Sequence, residues 1–329
     1  MGHEAMHKAW RLLALQRYLF RTPRGYRTSE LADLFNVGQR TINRDLQDLQ
    51  SAPFRLPLVQ EEAPDWRWHL MAGARFQLPP LQLTLQEGAA LYLAARLLDQ
   101  ASDEPNPFVN RALEALAKVL PAAVGDEIQR LVTARPQQEA GSFADIFEVV
   151  TLGWATGRVV HIWHRSANSE HIHDYRLHPY LIEASAVGYA TYAIGWASWF
   201  TAVHTFKLER IVRAELTAEV FEIPPNFDGE ALLRTAWGIA YAEPGAPLER
   251  VRLKFSPDVT RRVKESHWHP SQELADTSDG GCVLTVEVGH AWEMVPWIRG
   301  WGAACEVLAP EDLRERVAEE LKQAAALYG

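Results

Sequence analysis

The sequence predicts a multidomain α+β protein, and three observations carry that prediction. At 329 residues the chain is longer than one hydrophobic core ordinarily serves, so it divides into domains. Its apolar spacing changes from helical to alternating at Arg158. Beyond the break "PPNFDG", short strands and helices interchange to the end of the chain. The composition, 47% hydrophobic and 23% charged, is that of a folded globular protein.

Four segments follow from the pattern. Residues 1–75 read as a winged helix-turn-helix. A first helix spans 7–21, with Leu12, Leu15, Leu19 and Phe20 at helical spacing, and "PRGYR" breaks it. Thr28 is placed to cap the next helix, Glu30 and Asp33 suit the positive end of its dipole, and Leu31, Leu34 and Phe35 form its buried stripe. A turn at "NVG" leads to the helix "GQRTINRDLQDL", and 58–71 forms a hairpin around an acidic turn.

Residues 76–140 make a helical linker and dimerisation segment. "FQLPPLQL" (76–83) is a Pro-bearing linker, Thr84 with Glu87 a capping box, and Asn106 with Pro107 a helix start after the break "ASDEPNP". The last helix, 122–134, carries Ile128, Leu131 and Val132, and the whole segment has apolar surface to spare. Residues 141–225 hold one helix (about 143–155) and five short strands, the pattern of a small barrel. Residues 226–329 begin with a helix at about 229–240. Their further order, βαββαβ with a tail helix, fits a ferredoxin-like layer.

Charge is unevenly spread. The formal net charge is −9, yet residues 1–75 carry +3 and the remainder −12. A basic first segment on an acidic body is expected where that segment alone meets a polyanion. In its third helix Ile42, Leu46 and Leu49 share one side, and Arg40, Arg44 and Gln47 fall on the other with Asn43 at the flank. Arg matches guanine in the major groove, and Asn or Gln matches adenine. Gln39, Thr41 and Thr28 are the candidate phosphate contacts, and Arg67 in the wing the candidate flanking contact. Glu61, Glu62 and Asp65 should hold the wing tip off DNA, while Asp45 and Asp48 suit ion pairs or capping better than DNA contacts. The competing reading is a solvated helix whose charges only confer solubility.

The barrel segment is dense in groups that suit an anion. Arg176 and His178 alternate onto one strand face; His204, Phe206, Leu208 and Arg210 fall on one face of another, with Lys207 opposite. Tyr192 offers a ring and a hydroxyl. Aromatics beside Arg and His suit a nucleotide or single strand. The alternative pairs Arg210 with Glu209 or Glu183 and makes Tyr192 ordinary core. Five of the twelve histidines lie between His161 and His178, but His161, His164, His171 and His173 have neither the spacing nor the cysteines of a structural zinc site, so no metal or other cofactor is expected.

Enzyme signatures are missing: the sequence has no G-x-S-x-G, P-loop, dinucleotide fingerprint or H-E-x-x-H, and Gly280 and Gly281 read as a hairpin turn. A binding protein is expected. The two cysteines, Cys282 and Cys305, argue against a disulfide framework. No apolar run reaches the ~20 residues of a membrane helix, and the first residues lack a signal-peptide core. The expected place is the cytoplasm, away from membranes.

Three stretches together resemble the WYL-domain transcriptional regulators of bacteria: "VGQRTINRDLQDL", "HPYLIEASAVGYATYAIGWA" with "FKLERI", and "WHPSQEL" with "WIRGWGAACEVLAPEDLRERV". The last resembles the C-terminal extension of such proteins. The family's namesake tripeptide falls on Thr191, Tyr192 and Ala193, with only the tyrosine kept, and His204 stands where many relatives carry arginine. The resemblance implies an Sm-like barrel for 141–225 and a nucleic-acid or nucleotide effector there. The expected protein is then a homodimeric regulator of double-stranded operator DNA, two-fold symmetry matching a palindromic site. The rival is a nucleic-acid-sensing accessory protein that acts through a partner protein.

Overall fold

A computed structural model of the chain gathers the apolar stripes of its described residues into four hydrophobic cores. It describes residues 2–22, 24–71, 82–100, 106–133, 142–167, 169–185, 187, 190–200 and 202–329. The expected segment borders at 75/76 and 140/141, the linker through residue 81, the break at 101–105 and the side chains of Leu131 and Val132 lie outside the described residues. Among the described residues the fold is a mixed one of helices and three sheets. It divides into two compact units, Met1–Glu183 with Thr191–Ile223, and Ala184–Ala190 with Pro224–Gly329.

The first unit opens with α1 (Gly2–Arg21), β1 (Tyr26–Arg27), α2 (Thr28–Phe35), α3 (Gln39–Gln50), β2 (Leu58–Gln60) and β3 (Arg67–Leu70). The three strands form a sheet in the order β1-β3-β2. Leu15 of α1, Leu31 of α2 and Ile42, Leu46 and Leu49 of α3 are fully buried together. Asn36, at φ 51°, takes the left-handed position that ends α2, a conformation asparagine tolerates. Two expectations change here. Thr28 is the first helical residue and not the cap: Arg27 holds the N-cap position, and its backbone N–H donates to Glu30 at 2.8 Å. Leu34 is exposed, because Leu31 and Phe35 occupy the inward line and Leu34 falls on its flank.

Three helices follow: α4 (Leu85–Gln100), α5 (Pro107–Ala117) and α6 (Ala122–Thr133). The capping box forms, with the Thr84 N–H on the Glu87 carboxylate at 2.7 Å and the Glu87 N–H on the Thr84 hydroxyl at 3.2 Å. Asn106 caps α5 by accepting the Phe108 N–H at 2.9 Å. Val109, Leu113, Ala117 and Ile128 make a small core, whereas Leu91, Leu93 and Leu97 of α4 are exposed.

Next come α7 (Ser142–Thr156) and β4 (Arg158–Arg165), β5 (Ile172–Ser185), β6 (Ala190–Ala197), β7 (Val203–Lys207) and β8 (Ile211–Val220), in the sheet order β7-β6-β5-β4-β8. Ile146 and Val150 of α7 bury against Val160, Ile162 and Leu177 of the sheet. Gly195 is required where β6 meets β5: a Cβ there would stand 1.9 Å from the His178 carbonyl oxygen. The strand expected to run through "FKLERI" stops at Lys207. Residues Leu208–Arg210 form a 3-10 turn, with Leu208 fully buried and the Glu209 carboxylate accepting the Thr191 N–H at 3.0 Å.

In the second unit α8 (Gly229–Leu233) precedes β9 (Glu249–Phe255), α9 (Pro257–Lys264), β10 (Glu273–Asp276), β11 (Cys282–Val288), α10 (Val295–Gly300), β12 (Cys305–Ala309) and α11 (Glu311–Ala326). The strand order is β10-β11-β9-β12, all antiparallel. The helix expected over 229–240 is cut short at Leu233. Beyond it the N–H groups of Gly238, Ile239 and Ala240 turn to the buried Glu293 carboxylate at 2.7, 2.7 and 3.0 Å. Those donors cannot also serve a helix ladder. Gly280, at φ 84°, sits in the β10–β11 hairpin turn.

Candidate nucleic-acid interface

α3 separates two chemistries along one helix. Ile42, Leu46 and Leu49 bury completely, while Gln39, Arg40, Asn43, Arg44 and Gln47 are exposed and Thr41 is half-buried. Among the described residues no carboxylate pairs with Arg40 or Arg44. The acids of the helix are spent elsewhere. Asp45, 1% exposed, takes Arg11 of α1 through both oxygens, at 2.5 and 3.2 Å, and Asp48 takes Lys8 at 2.6 Å. These pairs tie α3 to α1 from its inner flank and leave the outer face cationic. The Thr28 hydroxyl donates to Asn43 Oδ1 at 3.2 Å, so the start of α2 steadies the asparagine.

Arg67 has a different task from the one expected. Its guanidinium grips Glu30 at 2.9 and 3.2 Å and the Gly25 carbonyl at 2.9 Å, joining β3 to the start of α2. It stiffens the platform and has no free fork for a phosphate. At the hairpin tip Asp65 pairs with Arg27, so that cation partly offsets the acids there, and Glu61 lies 3.8 Å from His69.

The expected effector residues divide between the two faces of the sheet and the turn after β7. Tyr192 stands opposite Lys207 in the β6–β7 ladder, and Trp196 of the same face packs on His178 at 4.7 Å. Tyr192, Lys207, His178 and Arg176 therefore share the outer face, where Arg176 pairs with Glu219 and His178 stacks on Phe221. His204 lies on the opposite, core-side face with Phe206, its ring 3.6 Å from that of Phe200. Arg210 is in the 3-10 turn Leu208–Arg210, where the strand alternation that would have set it in line with Phe206 no longer holds. The histidines likewise divide. His161 faces Asp174 at 2.9 Å on the outer side, and His164 packs on Phe206 on the inner. Among the described residues no three His, Cys, Asp or Glu side chains are placed to hold a metal.

Burial, and after it the charge of Arg210, lowers the His164 pKa to about 4. Burial also lowers His178 and His269. Unfolded chains bind protons at these sites more readily than the folded one, so stability rises with pH between about 4 and 6.5 and is lost as pH falls through that window. Thermal midpoints of wild type should drop across it, and His164→Leu should flatten part of that drop. An unchanged slope in the variant would exclude His164 as a source.

Two features were not foreseen. Residues Tyr175, Trp199 and Phe200 gather at the end of β6. In the second unit Arg262 lies 5.1 Å over the ring of Trp301 in a pocket that Trp268 and Trp297 also line. The tryptophans of "WHP" and "WIRGWG" were the available signal for the second; a single Trp-Phe in a loop gave none for the first.

Comparison with known proteins places two domains on this framework. Residues 145–216 match the WYL domain and residues 247–325 the WCX domain. The chain is 25% identical over 251 residues to Protein PafC of Mycobacterium tuberculosis, which covers 76% of this chain and 73% of that protein. Among solved structures it is similar to the proteasome accessory factor B/C (PafBC) of Arthrobacter aurescens, at 20% identity over 98% of this chain with a TM-score of 0.29. The chain spans about half the length of that protein, 47%. It is also similar to a CRISPR Cas-related protein, at 12% identity over 61% of this chain and 54% of the other with a TM-score of 0.38. The chain is thus built around a WYL domain at 145–216, followed by a WCX domain at 247–325.

Proposed function

We propose that the chain is a DNA-binding transcription regulator, a homodimer controlled by a nucleic-acid or nucleotide effector at its WYL domain. The observation that carries this is the outer face of α3, where Arg40, Asn43, Arg44 and Gln47 are exposed together and both guanidiniums lack a partner acid among the described residues. In this reading α1 to α3 with the first sheet form a winged helix-turn-helix, the five-stranded sheet an Sm-like barrel, and the WCX domain a ferredoxin-like layer. α3 enters the major groove, and Gln39, Thr41 and the N–H groups of its first turn hold phosphates. The WYL and WCX domains and the likeness to PafC support the regulator over a general nucleic-acid binder.

The exposed leucines of α4 offer the surface for a second copy. The protein binds and does not turn over its ligands, and it works in the cytoplasm; no helix among the described residues is long and apolar enough to cross a membrane. Selection from a pool of random duplexes tests the reading. Enrichment of a palindromic sequence is expected. Enrichment of none would favour an accessory protein that acts through a partner.

A further inference from the structure

This inference rests on the reading that the WYL domain holds a nucleic-acid or nucleotide effector. A pocket of about 290 Å³ opens beside β5, lined by His173, Asp174, Tyr175, Trp199 and Phe200. It lies where the chain leaves β6: the Ser198 N–H still reaches the Arg176 carbonyl at 3.1 Å, and the Phe200 N–H closes a turn on the Ala197 carbonyl at 3.2 Å. Trp199 in that turn has φ 80°, a left-handed conformation rare for a bulky side chain, and is 85% exposed. Packing does not explain an indole held in solvent by strained backbone; such outliers gather at ligand sites.

The neighbouring rings are fixed. Phe200 lies nearly parallel to Tyr175, at 5.5 Å and 19°, and against His204 at 3.6 Å. They make a wall, and Trp199 is the ring with a face to offer. Asp174 supplies the polar group. Its side chain is 59% exposed, and His161 Nε2 lies 2.9 Å from Oδ2. That hydrogen bond holds the carboxyl below its ordinary range, so it is an ionised acceptor near neutral pH.

We propose that this pocket selects guanine, stacking the base on Trp199 and accepting its N1–H and 2-amino hydrogens on the Asp174 carboxylate. Guanine is the natural base whose Watson–Crick edge presents two adjacent donors, which match two carboxylate oxygens. Adenine and cytosine present one donor beside an acceptor, and thymine one donor between acceptors. The volume is at the lower end of ligand sites and suits a single base. Stacking is indifferent to base identity, so Asp174 sets the choice.

The test is calorimetric titration of the full chain with GMP, AMP, an octamer of dT and the same octamer with one central dG. A guanine ligand should bind about tenfold or more tighter than its guanine-free counterpart. Preference among the mononucleotides names a free nucleotide as the source, and preference confined to the octamers names a single strand. Asp174→Asn should abolish the preference and keep weak binding, whereas Trp199→Ala should weaken every ligand. Both should melt near wild type, and the wild-type comparison stands whatever their folding. Equal affinity within both pairs would overturn guanine selection and leave the effector reading intact; failure of all four to bind would overturn both.

Discussion

Arg11→Ala is expected to cost about 3–5 kcal/mol of stability, because it leaves a carboxylate buried without its cation. Asp45 is 1% exposed and takes the Arg11 guanidinium through both oxygens, across the contact between α1 and α3. Arg11→Met with Asp45→Leu should recover most of the loss, since an apolar pair of similar volume strands no charge. Denaturant midpoints of the three proteins check this. A loss under about 1 kcal/mol for Arg11→Ala would mean that the pair behaves as a solvated surface bridge.

The second large effect concerns recognition. Arg40→Ala and Arg44→Ala should each cost about 1–3 kcal/mol on the selected duplex, roughly fivefold to over a hundredfold in Kd, and relax the choice of base at one position. Neither substitution touches the core, because both side chains point away from Ile42, Leu46 and Leu49. Melting temperature should therefore hold while selectivity falls. Affinity for a scrambled duplex should change less, because phosphate contacts carry most of it. Equal losses on both duplexes would assign the two arginines to phosphates and move base reading elsewhere on α3.

Legibility followed the range of the interaction. The α3 face was readable because one helix settles it: apolar residues four and three apart fix which side is buried. The β9-to-α11 order was equally local. The third-helix acids were also assigned correctly, though their partners Lys8 and Arg11 are more than thirty residues away. What failed depended on neighbours no spacing encodes. Arg67 looked free until Glu30 and Gly25 were placed beside it. Arg210 looked like the next residue of an alternating strand, but the strand ends at Lys207 and the chain passes into a 3-10 turn. Helix 229–240 lost its second half to Glu293, more than fifty residues on. Trp199 gave no warning, since a left-handed tryptophan follows from the turn that closes around it.

The most direct test is the ratio of Kd values for a scrambled and a selected duplex, measured with the pure full chain at one physiological salt concentration. If α3 reads base edges, the ratio should be at least about a thousand. A ratio near one, with tight binding to both, would mean that the cationic face holds only phosphates and that sequence recognition belongs to some other part of the chain.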